Sequence, residues 1–280
     1  MLFQPLKFRH LTVKNRIFRS SITGRWDNYN GSGNQARVNW ENKFAKGGVG
    51  AIISSYAPVS IEGRITPNVV TIDCDERIPF WRTVGEAVRR YECKYIIQLS
   101  HSGRQRDIEG IENTQILHQQ IAPKPAPSST DQADRIHGLP AIKMPTSQVK
   151  EIVQDFARAA VRAKAANLDG IELHSSHGYL INQFLSSAIN QRTDEYGGDL
   201  KNRYRFLQEI VREIRKVVGD QFHLQAKISV REFNNIITPW EKSGNTLEEA
   251  IQICQWLEED GVDAIHVSRG STFPHPLLPS

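Results

Sequence analysis

Short apolar runs rich in Val, Ile and Leu recur at residues 16–18, 50–54, 94–99, 169–173, 222–229 and 263–268. Their length suits buried strands. Between them lie longer stretches, 38–46, 80–91, 148–166, 200–218 and 247–259, with apolar residues three and four apart and charges in the other positions. That spacing predicts amphipathic helices, because it lines one face of a 3.6-residue turn. Strict alternation of strand and helix predicts a parallel sheet covered by helices, either closed as a barrel or open and doubly wound.

The segments after the strands favour the barrel. Largely polar segments follow the runs: Ser20, Ser21, Ile22 and Thr23; Ser55, Tyr56 and Ala57; Ser100, His101, Ser102, Gly103 and Arg104; residues 174–179; and Val230, Arg231 and Glu232. In a barrel these segments converge on one face, where barrel active sites lie. A dinucleotide-binding doubly wound sheet would carry G-x-G-x-x-G after its first strand, and no such run is present. Gly47-Gly48-Val49-Gly50 reads instead as a helix stop in a left-handed conformation. The expected fold is a (β/α) TIM barrel forming a single domain over residues 1–280, with about six of the eight β/α units present. Two further units would need roughly 60 more residues, so the chain reads as a barrel truncated at its C-terminal end. A stretch from Gly110 to Pro145 with five prolines is too long for a plain connector and reads as an excursion over the active face.

Bulk composition narrows the partners. The formal charge of +4 and pI near 8.9 are mild, and Lys and Arg are spread along the chain. Nucleic acid is therefore not an expected partner. Cys74, Cys93 and Cys254 are widely separated and lack C-x-x-C spacing, as expected for reduced thiols in a cytoplasmic protein. No stretch reaches the roughly 20 apolar residues of a membrane span, and the start lacks a basic segment followed by an apolar one. Neither membrane nor secretion is expected, and a homo-oligomer is left open.

Chemistry concentrates where the fourth strand breaks into a loop, Glu172-Leu173-His174-Ser175-Ser176-His177-Gly178-Tyr179. Through a helical turn, His174 and His177 would point the same way and offer two N–H donors to one oxygen as charge develops on it. Tyr179, with an ordinary pKa of about 10, stays protonated at neutral pH and can donate. Two other readings stand beside this one: the histidines as packed strand-end residues, or a metal-dependent hydrolase in which His101, His174 and His177 supply three imidazoles. The second lacks a carboxylate arranged as in H-E-x-x-H, and the expected metal is none. Trp26 could line a substrate pocket or pack a lid. Arg104, Arg192 and Arg203 are more often solvated or paired with neighbours such as Asp194 and Glu195.

The same segment, continued through Leu180-Ile181-Asn182-Gln183-Phe184-Leu185-Ser186 and Asn190-Gln191-Arg192-Thr193-Asp194-Glu195-Tyr196-Gly197-Gly198, resembles the old yellow enzymes, FMN-dependent ene-reductases of the NADH:flavin oxidoreductase family. Further matching runs lie at residues 2–6 and 11–16, 45–50, 62–64, 98–104 and 202–203, so the resemblance covers nearly the whole chain in order. It implies FMN as cofactor, NAD(P)H as reductant, and hydride transfer from flavin N5 to the activated C=C of an α,β-unsaturated carbonyl compound. It implies further that His174 and His177 bind the substrate carbonyl and that Tyr179 protonates the α carbon. Gln98 would hydrogen-bond the flavin ring, Thr23 would lie near the flavin carbonyl, and Ser20, Ser21 and Ile22 would flank the ring. Lys227 stands where many members have an arginine, keeping the charge without the planar fork. Ser20, Ser21 and Ile22 replace the usual Ala-Pro-Met. The phosphate would be gripped by loops after the seventh and eighth strands, which these residues do not include, so a catalytically silent flavin-barrel fragment is the alternative.

Overall fold

The computed structural model describes residues 1–106, 124–133, 140–232 and 244–269. An antiparallel pair, β1 (Leu6–Lys7) and β2 (Thr12–Val13), leads into β3 (Phe18–Arg19), α1 (Gln35–Lys46), β4 (Ala51–Pro58), α2 (Ile78–Arg89) and β5 (Lys94–Ser100). A short parallel pair, β6 (Ala126–Ser128) and β7 (Ala141–Lys143), precedes α3 (Thr146–Ala165) and β8 (Gly170–Ser175). There follow α4 (Leu180–Leu185), α5 (Leu200–Val218), β9 (His223–Ser229), α6 (Leu247–Glu259) and β10 (Ala264–Ser268).

Six strands form one parallel sheet in the order β3-β4-β5-β8-β9-β10. Each sheet strand lies beside the next one in the chain. A doubly wound sheet reverses direction at a switch point, whereas a barrel adds strands in one direction. This curled sheet is an incomplete (β/α) barrel, as the alternation predicts. Residues 107–123 and 134–139 of the proline-rich excursion lie outside the described residues.

Alternation along each strand separates two environments. Tyr95, Ile97 and Leu99 on β5, Ile171 and Leu173 on β8, and Leu224, Ala226 and Ile228 on β9 share one buried apolar cluster with Val84, Phe156, Leu207 and Ile210 of the covering helices. The intervening positions Gln98, Glu172, His174, Gln225 and Lys227 are polar and equally buried. They face the barrel interior, since neighbouring side chains on a strand point to opposite sides. Below them, Leu11 and Val13 of the N-terminal segment pack with Ala51, Ile53 and Ile96.

Local chemistry explains where the element boundaries depart from the hydrophobic pattern. The first strand begins at Phe18 rather than residue 16 because Asn15 Oδ1 accepts the Ile17 N–H at 3.0 Å, diverting it from the sheet. Ser55, Tyr56 and Ala57, expected as a loop, are the end of β4. The register shifts between Ile53 and Tyr56, and there Ser54 Oγ takes the Gln98 N–H at 2.9 Å, replacing a ladder bond. Gly48, at φ 94, is the residue of the glycine run that turns left-handed after α1. Helix α6 opens with a capping box in which Thr246 and Glu249 satisfy each other's backbone N–H.

The apolar interface between helices and sheet carries the stability. Truncating the fully buried Leu207 to Ala removes three packed carbons and leaves a cavity, so Leu207→Ala is expected to cost about 2–5 kcal/mol in urea unfolding. Val217→Ala on the exposed side of the same helix should change stability by no more than about 0.5 kcal/mol.

Candidate active site

The interior polar residues form two layers set by strand register. In the lower layer Gln98 pairs in register with Glu172, and Glu172 with Gln225. Glu172, fully buried, accepts Gln98 Nε2 at 2.6 Å, contacts His266 Nδ1 at 2.9 Å, and accepts Gln225 Nε2. Gln98 Nε2 also donates to Ser21 Oγ at 2.9 Å, tying the segment after β3 to the barrel interior. In the upper layer, at the carboxyl ends of the strands, His174 is in register with Lys227 and Lys227 with His266.

The loop after β8 turns sharply. His177 at φ 60 and Gly178 at φ 73 are both left-handed, so the two histidines meet through a left-handed turn rather than the helical one expected. Their rings stand edge to face, with centroids 5.2 Å apart and planes at 88°. Tyr179 packs on His174 with centroids at 4.6 Å, and on Tyr56 at 5.7 Å. His174 Nδ1 meets Ser176 Oγ at 3.3 Å, and His177 Nε2 meets Ser268 Oγ at 2.5 Å. The His177 N–H also reaches Ser229 Oγ at 3.3 Å. Three strands therefore fix this one turn.

Burial holds the cluster uncharged. Loss of solvent, reinforced by the nearby charge on Lys227, pushes the His177 imidazole down to about 3 and His174 well below its ordinary value. Burial raises the Tyr179 phenol, with the Arg25 charge opposing it. Lys227 is 6% exposed and makes no hydrogen bond among the described residues; burial lowers its pKa while the charge of Glu172 works against that shift.

The remaining expected residues lie around this centre. Ser20, Ser21 and Thr23 are half-buried and Ile22 is exposed, on the segment after β3; Arg19 Nη2 holds the Ile22 carbonyl at 3.2 Å. Trp26 packs on Trp40 of α1, with centroids 4.5 Å apart, and makes no ring contact with Tyr179 or either histidine. Arg192 pairs with Asp194, and Arg203 with Glu249 at 2.7 Å; Arg104 donates to the Gln132 carbonyl at 3.2 Å. His101 accepts the Gly103 N–H on Nδ1 at 3.0 Å, and burial pushes its ring down to about 3. Among the described residues no three His, Cys, Asp or Glu side chains are arranged to hold a metal ion. No helix among them is long and apolar enough to cross a membrane. The sequence pattern assigned no role to Glu172, Gln225, His266, Ser268 or Tyr56, although the two-residue spacing of Glu172 and His174, or of His266 and Ser268, marks an inward polar face.

Residues 1–275 match the NADH:flavin oxidoreductase / NADH oxidase family. A curated NADPH dehydrogenase of Bacillus pumilus is 36% identical over 98% of this chain and 76% of its own length. A NADH oxidase of Thermoanaerobacter brockii is also 36% identical, over all of this chain and 41% of its own. The chain thus spans about three quarters of one relative and less than half of the other. The solved structure of an old yellow enzyme homologue from Zymomonas mobilis superposes with a TM-score of 0.80 at 22% identity, over 98% of this chain and 74% of that one, and so shares the fold.

The family's cofactor suits the residues present. A buried ammonium with no hydrogen-bond partner is costly in an empty interior and favourable beside an electron-rich or anionic ring. Lys227→Met should therefore raise the stability of the FMN-free protein by about 1 kcal/mol or more while weakening FMN binding by about tenfold. A destabilised variant with unchanged FMN affinity would contradict this assignment of charge. A second expectation concerns protons. Folded His177 binds fewer protons than its unfolded form between about pH 3 and its ordinary 6.5, so the chain loses stability as pH falls below 6.5. His177→Gln should shrink the stability drop between about pH 7 and pH 5, measured by urea unfolding; a parent-like drop would show that the ring titrates normally. With fold and comparisons in agreement, the chain belongs to the NADH:flavin oxidoreductase / NADH oxidase family, the old yellow enzymes, whose oxidoreductases use FMN and NAD(P)H.

Proposed function

We propose that this protein takes reducing equivalents from NAD(P)H and reduces the activated C=C of an α,β-unsaturated carbonyl compound. The observation that carries this reading is the pair of uncharged imidazoles, His174 and His177, packed with protonated Tyr179 at the carboxyl ends of the strands. The similarity to proteins named NADPH dehydrogenase and NADH oxidase supports the nicotinamide reductant.

Each residue has a role that follows from its state. With Ser176 Oγ–H donating to His174 Nδ1, the ring proton sits on Nε2 and is free for a carbonyl oxygen. With Ser268 Oγ–H donating to His177 Nε2, its proton sits on Nδ1. Two neutral donors stabilise an oxygen gaining negative charge without first binding an anion tightly, which favours the transition state over the ground state. Tyr179 gives its proton to the α carbon; burial disfavours the phenolate left behind, and the Arg25 charge offsets part of that cost. Gln98, Ser20, Ser21, Ile22, Thr23 and Lys227 would hold the FMN ring, and Trp26 would border the substrate. Bound FMN supplies the hydride carrier between nicotinamide and substrate.

Tyr179→Phe separates the proton step from the rest. In stopped-flow measurements with FMN supplied, enone-dependent reoxidation should slow by about 10²–10⁴-fold, while reduction by NADPH or NADH changes by less than about threefold. Equal losses in both half-reactions, or no enone-dependent reoxidation in the parent, would refute the proposed role.

A further inference from the structure

The turn that brings His177 beside His174 is held by an unusual arrangement of side chains. Both polar groups of the Gly178 backbone are taken by consecutive residues of α4: its N–H donates to Asn182 Oδ1 at 2.7 Å, and its carbonyl accepts Gln183 Nε2 at 2.7 Å. Asn182 in turn donates Nδ2 to Glu232 Oε1 at 2.6 Å. The second Glu232 oxygen accepts Ser186 Oγ at 2.5 Å and the Asn245 N–H at 3.4 Å. Glu232 lies just beyond β9, is 1% exposed, and among the described residues its carboxylate meets these donors, with the Arg203 charge farther off. Its packing is close: a Cβ on Gly244 would fall 1.7 Å from Glu232 Oε2.

Burying a carboxylate costs more than burying an apolar residue of the same volume, so its presence calls for something an apolar group could not do. An amide side chain such as Asn182 can face a backbone N–H with its oxygen or, flipped, with its nitrogen. Only an acceptor behind its nitrogen makes the productive orientation the sole satisfied one. Glu232 is that acceptor.

We propose that Glu232, acting through Asn182, is a positioning residue for the reaction: it fixes the Asn182 amide so that the Gly178 peptide, and with it the left-handed His177 and the adjoining Tyr179, keep the spacing carbonyl recognition needs. This rests on the reading of the site as a carbonyl-binding reductase centre. It links the loop after β9 to the chemistry on the loop after β8, with no contact between Glu232 and substrate or cofactor.

An exchange of the two side-chain chemistries tests it. Asn182→Asp alone places two carboxylates face to face, whereas Asn182→Asp combined with Glu232→Gln restores the bond between the two side chains with donor and acceptor reversed and leaves an acceptor facing the Gly178 N–H, Ser186 and Asn245. In the single variant, enone-dependent reoxidation should fall by about 100-fold with FMN affinity within about threefold of the parent, since Gln98 and Lys227 are untouched. The double variant should recover the rate to within about threefold. A single variant with a parent-like rate, or a stable double variant that recovers nothing, would overturn the proposal. If the parent itself reduces no enone, the failure belongs to the functional reading, and the Gly178 amide and His177 ring resonances decide the positioning role: displaced in the single variant and restored in the double, they support it, and unmoved they refute it. Should the single variant not fold, the same resonances in the double variant, parent-like or altered, decide in the same way.

Discussion

The carboxylate of Glu172 sits in the barrel interior with no exposed surface, and its hydrogen bonds set the geometry above it. An isolated carboxylate there would cost several kcal/mol, so the strands must align to bring donors to it. Gln98 from β5, Gln225 from β9 and His266 from β10 all do so, and Gln98 extends the connection to Ser21 after β3. Because register along a strand is quantised in single residues, satisfying this one charge also fixes the layer above, where His174 and Lys227 stand in register at the strand ends. Site and sheet are one construction: the outward alternate residues bind the helices, and the inward ones build the chemistry.

The upper layer works by keeping charge scarce. Two imidazoles are held neutral, a phenol is held protonated, and one ammonium has no hydrogen bond among the described residues. In such an interior each remaining charge acts over a longer distance than in water. In the proposed reaction the neutral donors would meet an oxygen that becomes negative, and the ammonium an electron-rich ring. Strain at the left-handed His177 is the accompanying cost, offset by bonds to Ser229, Ser268 and the α4 side chains.

Much of this was legible in the chain. The helices at 200–218 and 247–259 have the bounds that periodicity predicts, because amphipathic spacing and good caps agree there. The histidine pair and Tyr179 stand out because polar residues interrupt an apolar run where a strand must end. What escaped the pattern has physical reasons. Ser55, Tyr56 and Ala57 look like a loop because a serine and a tyrosine hydroxyl interrupt the apolar run, yet all three are buried and continue β4. Glu172, Gln225 and His266 look like ordinary strand interruptions until the strands are placed side by side, since their partners are up to 94 residues apart. Short α4 hides within a motif whose histidines draw attention first, although its Asn182 and Gln183 hold the turn.

In the proposed function these residues assemble an FMN site competent for NAD(P)H-driven reduction of an enone. An anaerobic absorbance titration tests it most directly: FMN added to the protein, then NADPH or NADH, then an α,β-unsaturated ketone. FMN should bind with a perturbed visible spectrum, the colour should bleach with the nicotinamide, and it should return on adding the ketone. FMN that keeps its free-solution spectrum, or a bleached protein that no enone recolours, would contradict it.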